Sequence, residues 1–343
     1  MNRCALVAAL AIASVQLTVC ERTHAQTVEN FYKGKQIRMI VGHPAGGDYD
    51  LGGRLLAKYL GAHIPGKPTI VVQNMPGAAS VVATNDLYNI APKDGTIFGS
   101  FSRNIPSQAA LGQASIEADP RRFNWLGATS RQSHVCISRK DSPIATAQDV
   151  FNHELIVPGA GPSSALSIIP LVLNNVIATK FHVVEGYNGF PEALNALERG
   201  EVEGLCNAFE EIEARKDLIR DGTIRILFHT EENPLPGEPD IPSIFSFIKD
   251  DKQAQLLRFV FSSVEFGRPY VLPPGVPQER VEVLREAFKA ATEDPALIAE
   301  AKQTGLDMTY TSPDELLALV NKLYATPADQ LDVVRKLLPE GGG

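Results

Sequence analysis

The side chains that most often carry out chemistry are scattered along this chain without the spacing that catalysis or metal binding requires. The histidines stand singly, and no pair of cysteines or histidines has the spacing of a zinc site. The run Gly161-Pro162-Ser163-Ser164-Ala165 is not the G-x-S-x-G nucleophile elbow, and local sequence places no acid and histidine pair. The sequence therefore predicts no metal site, no cofactor and no catalytic residue.

Three loops rich in glycine and small polar residues are the remaining candidates, and each follows an apolar stretch and precedes a helical pattern. They cover residues 44–50, 74–78 and 158–164. They contain neither the phosphate loop G-x-x-x-x-G-K-[ST] nor the dinucleotide fingerprint G-x-G-x-x-G. Free N–H groups at helix N-termini attract anions, and the loops are poor in Lys and Arg. The pattern favours a carboxylate held by backbone and hydroxyl hydrogen bonds, with ordinary turn formation as the alternative interpretation.

The elements that position these loops form two successive strand–loop–helix series. The first has apolar strands near residues 38–41, 69–72 and 96–101, and the second has strands near 134–138, 155–157, 181–184, 202–207 and 224–229. This alternation predicts an α/β protein with two lobes, each a mainly parallel sheet flanked by helices. We predict lobe 1 over 26–130 and 262–343 and lobe 2 over 131–261, with Phe259-Val260-Phe261 returning the chain to lobe 1. The ligand is expected between the lobes.

The N-terminus predicts export. Residues 1–25 combine Arg3, an apolar run that is too short to span a bilayer, and the small-x-small site Thr23-His24-Ala25, as in a cleaved signal peptide. Lipidation at Cys20 is the less favoured alternative, because Val19 stands where a small residue is expected. The whole chain has a net charge of −8. An acidic, exported chain without a later apolar span predicts no nucleic-acid partner and no membrane insertion, and we expect a monomer.

Cys136 and Cys206 are the two cysteines that remain after the predicted cleavage. Each lies in a predicted strand, and the exported compartment permits a disulfide. We predict a bridge between them, with two buried free thiols as the alternative.

Several stretches together resemble one family. They are IRMIVGHPAGGDYDLGGRLLAKYL, VVQNMPGAASVVATNDLY, APKDGTIFGS, GAGPSSALSI, GYNG and LERGEVEGLCNA, and the likeness covers nearly the whole mature chain. In this order they resemble the extracytoplasmic receptors of tripartite tricarboxylate transporters, the Bug family. The resemblance implies a periplasmic binding protein of the Venus flytrap kind, type II-like, that is not an enzyme. It would hold a small organic acid in an interlobe cleft and deliver it to membrane transporter subunits.

The resemblance also implies which residues bind the acid. One end of the ligand would be held by the first two loops. Ser100 and Ser102 would line the cleft after the third strand, and Ser163 and Ser164 would form the carboxylate turn of lobe 2. Tyr187 would close over the ligand, and Asn207 stands where family members often carry Asp. The residues implied in the first two loops are Gly46, Gly47, Tyr49, Asp50, Asn74, Pro76, Gly77 and Ala78.

Asp48 and Tyr49 depart from the family pattern, in which the first loop is glycine-rich up to a Thr-Asp pair. Two carboxylates in one loop would repel a dianion, so either Asp48 caps the helix or it recognises a ligand amine or hydroxyl. Tyr49 offers bulk and a stacking face, which would favour a longer or aromatic acid. Two other functions fit the same residues, namely presentation of the ligand to a sensor and, less well, a periplasmic hydrolase.

Overall fold

The computed structural model describes residues 28–161, 164–235 and 237–337. The predicted signal peptide and Ser163 lie outside the described residues. The chain forms two compact units. Unit 1 comprises residues up to 105, 113–130 and 268–318, and unit 2 comprises 106–112, 131–267 and the residues from 319 onward.

The strands and α-helices that the structure describes alternate along much of the chain. The strands are β1 (Gln36–Val41), β2 (Thr69–Asn74), β3 (Ile97–Ser100), β4 (Asn124–Thr129), β5 (His134–Arg139), β6 (Leu155–Gly159), β7 (Phe181–Glu185), β8 (Gly204–Ala208), β9 (Ile224–His229), β10 (Arg268–Leu272) and β11 (Tyr310–Thr311). The helices are α1 (Asp48–His63), α2 (Val81–Asn85), α3 (Ile105–Ala110), α4 (Ala165–Ile177), α5 (Phe190–Arg199), α6 (Phe209–Glu213), α7 (Lys216–Arg220), α8 (Asp251–Glu265), α9 (Gln278–Thr292), α10 (Pro295–Thr304), α11 (Pro313–Tyr324) and α12 (Ala328–Leu337).

Unit 1 is built on a six-stranded sheet with the strand order β11-β4-β10-β3-β1-β2. β1 pairs in parallel with β2 on one side and with β3 on the other, whereas β10 runs antiparallel to β3 and β4. Val41 lies opposite Asn74 in one pair and opposite Ser100 in the other. The three parallel strands therefore end side by side, and the loops that follow them leave the sheet at one edge.

Helices α1 and α9 hold this sheet in place from the core. Apolar side chains of β1 alternate towards the helices, and α1 contributes an apolar stripe at helical spacing. Gly53 of α1 lies so close to the sheet that a Cβ there would come within 3.2 Å of the Met39 sulfur. The shared core consists chiefly of Ile37, Met39, Val41, Leu55, Leu56, Leu60, Val281, Leu284 and Phe288.

Unit 2 contains two small sheets. β8, β5 and β9 form an antiparallel sheet in that order, and β6 pairs in parallel with β7. Cys136 of β5 lies directly opposite Cys206 of β8, both side chains are fully buried, and they form a disulfide with a Cα–Cα distance of 4.0 Å. Helices α4 and α8 cover a core that includes both cysteines.

The fold class is confirmed as α/β with helix-flanked sheets, but the sheets are not mainly parallel: that of unit 1 is mixed, and unit 2 has one antiparallel and one parallel sheet. In unit 1, β10 runs antiparallel to both β3 and β4, and β11 runs antiparallel to β4. The predicted return of the chain to lobe 1 at Phe259-Val260-Phe261 is wrong, since these residues belong to α8 of unit 2, whose Phe259 and Phe261 are buried. The compact unit accordingly extends to residue 267, beyond the predicted boundary at 261, and residues from 319 onward belong to unit 2 and not to lobe 1.

Within the ranges that the structure describes, no helix combines the length and the hydropathy needed to span a bilayer.

Candidate functional site

Asp50 fixes the first loop of unit 1. Its side chain is buried, and Oδ2 accepts hydrogen bonds from the Gly46 N–H at 2.8 Å and from Arg54 Nε at 2.9 Å, while Oδ1 accepts from Asn74 Nδ2 at 2.8 Å. Burial by itself raises the pKa of Asp50, but the hydrogen bonds from Arg54, Gly46 and Asn74 outweigh it and hold the pKa below its usual range. Asp50 is therefore an ionised buried carboxylate that organises the loop from within.

Asn74 joins the first loop to the second. Besides its bond to Asp50, Nδ2 donates to the His43 carbonyl at 3.0 Å, and Oδ1 accepts from Arg54 Nη2 at 3.0 Å. Asn74, Asp50 and Arg54 thus satisfy one another at the carboxyl ends of β1 and β2. This network places both predicted side chains together and makes them a support for the loops.

Tyr49 joins the first loop to the segment after β3. Its ring stacks on His43 with the centroids 3.8 Å apart and the planes 11° apart, and its hydroxyl accepts from the Arg103 N–H at 3.0 Å. Burial raises the pKa of Tyr49 and lowers that of His43, so both are neutral at pH 7. One face of the Tyr49 ring is already occupied by His43, which leaves less of the ring for the predicted stacking on a ligand.

Asp48 has a different role from either of the two predicted for it. The N-cap of α1 is Gly47, and Asp48 is the first residue of the helix. Its carboxylate accepts from Nη1 of the buried Arg268 at 2.6 Å. The same guanidinium bonds to Thr129 Oγ1 and to the Asp307 carbonyl. The predicted capping by Asp48 is wrong, and each carboxylate in this loop has its own guanidinium partner.

The second loop has a left-handed backbone from Gly77 to Ser80. The φ angles are 151° at Gly77, 43° at Ala78, 50° at Ala79 and 77° at Ser80. Left-handed geometry costs about 1 kcal/mol for each residue with a side chain. Ser80 Oγ donates to the Gly42 carbonyl at 2.9 Å, and this bond ties the loop to the end of β1. Pro76, Ala78 and Ala79 remain exposed at the surface of the loop.

Ser100 ends β3 between the two loops and is fully buried. Its hydroxyl finds no hydrogen-bond partner in the part of the chain that the structure describes. Such a group loses its hydration without compensation, which is uncommon away from functional positions. Ser102, two residues further on, accepts from the Asn104 N–H at 3.3 Å. Of the two predicted serines, Ser100 therefore has more hydrogen-bonding capacity to spare, while Ser102 keeps its proton for an acceptor.

The carboxylate turn of unit 2 is described at Ser164, which is the N-cap of α4. Its hydroxyl oxygen accepts from the Leu166 N–H at 3.3 Å, so its proton remains available to an acceptor. In the same turn the Gly161 N–H donates to the Glu185 carboxylate at 2.9 Å. The turn thus already holds one carboxylate, supplied by the end of β7.

Tyr187 and Asn207 lie in unit 2, and both already make contacts with other residues of that unit. The Tyr187 N–H donates to the Gly159 carbonyl at 3.1 Å, and its ring packs partly buried against an apolar cluster. Asn207 is 7% exposed, and its Nδ2 donates to Glu211. Tyr187 is therefore next to the turn that contains Ser164, while the amide of Asn207 points to a neighbour in sequence.

Sequence reasoning missed His43, Arg54, Glu185 and Arg268. Arg54 had a usable signal, because it follows Asp50 by four residues and so lies on the same face of α1. Arg268 had none, since 220 residues separate it from Asp48. The absence of a side chain at Gly52 leaves room for the Arg268 guanidinium, since a Cβ at this position would lie 3.0 Å from Arg268 Nε.

The comparisons with known proteins concern both the family and the fold. A family model described as tripartite tricarboxylate transporter family receptor matches residues 56–327. A TctC solute binding protein from Polaromonas is 20% identical, covers 89% of this chain and 99% of its own, and superimposes with a TM-score of 0.71. R. palustris Rpa4515 with adipate is 19% identical, covers 89% and 97%, and has a TM-score of 0.52. The UPF0065 protein in gbd 5′ region of Cupriavidus necator is 25% identical over 79% of both chains.

Proposed function

Because the chain belongs to the receptor family of the tripartite tricarboxylate transporters, we propose that it is exported to the periplasm, captures a small organic acid there and delivers it to a transporter of that type. The acid leaves the site chemically unchanged. Adipate in the R. palustris relative supports a carboxylate ligand for this chain. The contribution of both units to one ligand, implied by the family resemblance, stays a prediction.

The observation that carries the proposal is the edge of the unit 1 sheet where β2, β1 and β3 end together. Three loops leave the sheet there, and hydrogen bonds of the Asp50, Asn74 and Tyr49 side chains connect them. Preorganised loops of this kind lose little conformational freedom when a ligand binds. The buried Ser100 hydroxyl, which lacks a partner among the described residues, lies at the same edge.

The charges at this edge are compatible with an anionic ligand. Arg268 compensates Asp48 and Arg54 compensates Asp50, so neither carboxylate has to be protonated before an acid can bind. Within the described chain, α1 carries no side-chain hydrogen bond at its N-cap, Gly47. The first turn of this 16-residue helix therefore adds a favourable dipole for an anion.

The first experiment is thermal unfolding of the mature protein with a panel of monocarboxylates, dicarboxylates, tricarboxylates, aromatic acids and acidic amino acids. A ligand at 100 times its dissociation constant stabilises the folded state by about 2.7 kcal/mol, which raises the melting temperature by a few degrees. A shift confined to one class of acid identifies the substrate class. The absence of any shift, with protein shown to be free of retained ligand, contradicts the carboxylate assignment.

Two alanine variants then test the site. Ser100→Ala and Ser164→Ala should each weaken binding of the identified acid about tenfold, since a hydrogen bond to a charged group contributes about 1.5–3 kcal/mol. Ser100→Ala should leave the free energy of unfolding unchanged or higher, because it removes a buried hydroxyl without a described partner. Ser115→Ala, an exposed position in unit 1, is the matched control. Equal affinity in wild type and both variants would show that these hydroxyls do not touch the ligand.

Delivery to a transporter has its own test. The mature protein is loaded with the identified acid, cross-linked to membranes of the source organism and purified. Membrane subunits of a tripartite tricarboxylate transporter should be recovered with it. Recovery of a sensor protein in their place would instead favour ligand presentation to a signalling system.

A further inference from the structure

Unit 2 contains a cavity of about 340 Å³ that is formed by residues away from the carboxylate loops. Its walls come from the stretch after β9, from α8, and from the end of α11 with the turn that follows it. Its volume lies in the range of sites that bind small molecules. Its larger apolar lining residues are Phe245, Phe259, Phe261, Leu319 and Leu323.

Two oxygen-bearing side chains in this cavity lack partners. Thr230 is 1% exposed, and its hydroxyl has no hydrogen-bond partner in the ranges that the structure describes. Glu265, at the end of α8, is partly buried, and no described residue donates a hydrogen bond to its carboxyl group or pairs with it as an ion. Buried polar groups in proteins normally have partners, so these two groups, which line the same cavity, are candidate acceptors for a donor from outside the chain.

The cations near the cavity do not fill that position. Arg258 donates Nε and Nη2 to Glu232 at 3.0 and 2.7 Å, so its charge is already compensated. Lys322 lies on an exposed part of the wall and forms no ion pair within 4 Å with any described residue. Among the described residues, Thr230 and Glu265 are thus oxygen groups without partners, and Lys322 is a cation without an ion pair on the exposed wall. An anionic ligand beside Glu265 would be repelled once that acid is ionised.

The pKa of Glu265 is consistent with a site that binds a cation. Burial, helped by the nearby Glu231 and Glu232, raises its pKa to about 7 against the opposing effect of Arg131 and Lys322. A positive group at the carboxyl would favour the ionised form and so would bind more tightly as the pH rises past neutrality.

We propose that this cavity binds a small protonated amine with an apolar body. The ammonium donates to the Glu265 carboxylate and the Thr230 hydroxyl, and the carbon skeleton packs on Phe259 and the neighbouring aromatic and leucine side chains. The site shares no residue with the carboxylate loops, so it neither needs nor supports the proposed transport function.

The test uses the mature protein and titration calorimetry with benzylamine as the probe. Benzylamine should bind at one site per chain, and benzyl alcohol, which has the same shape without the charge, should bind at least tenfold more weakly. Benzoate should not compete for this site. Benzylamine stays protonated between pH 6 and 8, so its affinity should rise over this range as Glu265 ionises. No binding of benzylamine, or equal binding of benzyl alcohol, overturns the proposal.

Two variants locate the site. Glu265→Gln keeps the shape of the side chain and should weaken benzylamine at least tenfold. Ala325→Trp, at an exposed position of the wall, should fill the cavity and abolish binding without disturbing the core. Glu154→Gln, an exposed position in unit 2, is the matched control and should bind as wild type does. Wild-type affinity in Glu265→Gln, with cooperative unfolding intact, would refute the proposed contact.

Discussion

Replacing Asp50 with asparagine tests whether a buried carboxylate holds the loops of unit 1 together. Asp50→Asn preserves the shape of the side chain but turns one acceptor oxygen into an NH2 donor. In the structure both oxygens accept, one from Gly46 and Arg54 and the other from Asn74. In either orientation of the new amide, donor therefore meets donor on one side.

The size of the effect follows from these contacts. Hydrogen bonds to a charged group contribute about 1.5–3 kcal/mol each, and breaking a buried charged pair by removing one partner costs about 3–5 kcal/mol. Arg54 is half exposed, so water takes over part of its lost interaction. We expect Asp50→Asn to lower the free energy of unfolding by about 3 kcal/mol at pH 7. Because Asp50 orients the first two loops, binding of the identified acid should weaken as well.

The assay is urea unfolding at pH 7 and again at lower pH. The folded-state pKa of Asp50 lies below its unfolded value, so its contribution is complete above the ordinary pKa of aspartate and disappears as the pH falls through the folded value. Wild type and variant should therefore converge in acid. Asp314→Asn, an exposed position in the first turn of α11, is the control and should change stability by about 0.5 kcal/mol. An Asp50→Asn protein as stable as this control at pH 7 would refute the role given to the network.

Three further predictions concern the disulfide, Glu265 and salt. Replacing Cys136 and Cys206 together by alanine should lower the free energy of unfolding by at least about 4 kcal/mol, since the bridge closes a loop with a sequence separation of 70; a loss below about 1 kcal/mol in urea unfolding would contradict it. Burial gives Glu265 a pKa of about 7 against an ordinary 4.5, so the folded state holds its proton more tightly. Wild type should therefore lose up to about 3 kcal/mol relative to Glu265→Gln between pH 5 and 8, and parallel stability curves would exclude this. The affinity for the acid should change less than about threefold between low and high salt, because the loop charges are paired and screening acts on unpaired charges; a tenfold loss in calorimetry would reveal an unpaired cation in the site.

Local patterns in the sequence predict much of the fold. The periodicity of α1 and the apolar runs of β1, β2 and β3 give the strand–loop–helix order and the shared sheet edge. The antiparallel pairing of β4 and β10 was not predictable, because it joins segments that are far apart in the chain and carry no signal of direction. The return of the chain to lobe 1 was predicted too early for a related reason. Phe259-Val260-Phe261 belongs to α8, and Phe261 contributes to the core of unit 2, a long-range contact that the local sequence does not show.

In the candidate site, too, local residue types were predictable and long-range partners were not. Glycines, serines and Asn74 are visible in the sequence because turn chemistry and family likeness both depend on local residue types. The partners that give the acidic residues their roles are visible only when they are close in sequence, as Arg54 is to Asp50. Arg268 reaches Asp48 only through the pairing of β10 beside β3, and Glu185 reaches Gly161 only through the pairing of β7 with β6.

The acidic residues of the first loop are then compatible with the proposed binding of an organic acid. Asp48 and Asp50 appear in the sequence as two negative charges beside the position expected for a carboxylate. In the structure each forms a pair with a guanidinium, and each pair joins one buried and one exposed side chain. The groups left for a ligand are backbone N–H groups and hydroxyls, which bind through fixed dipoles. Such a site suits a receptor that must release its ligand, because contacts of this kind are individually modest and depend on the geometry in which they are presented.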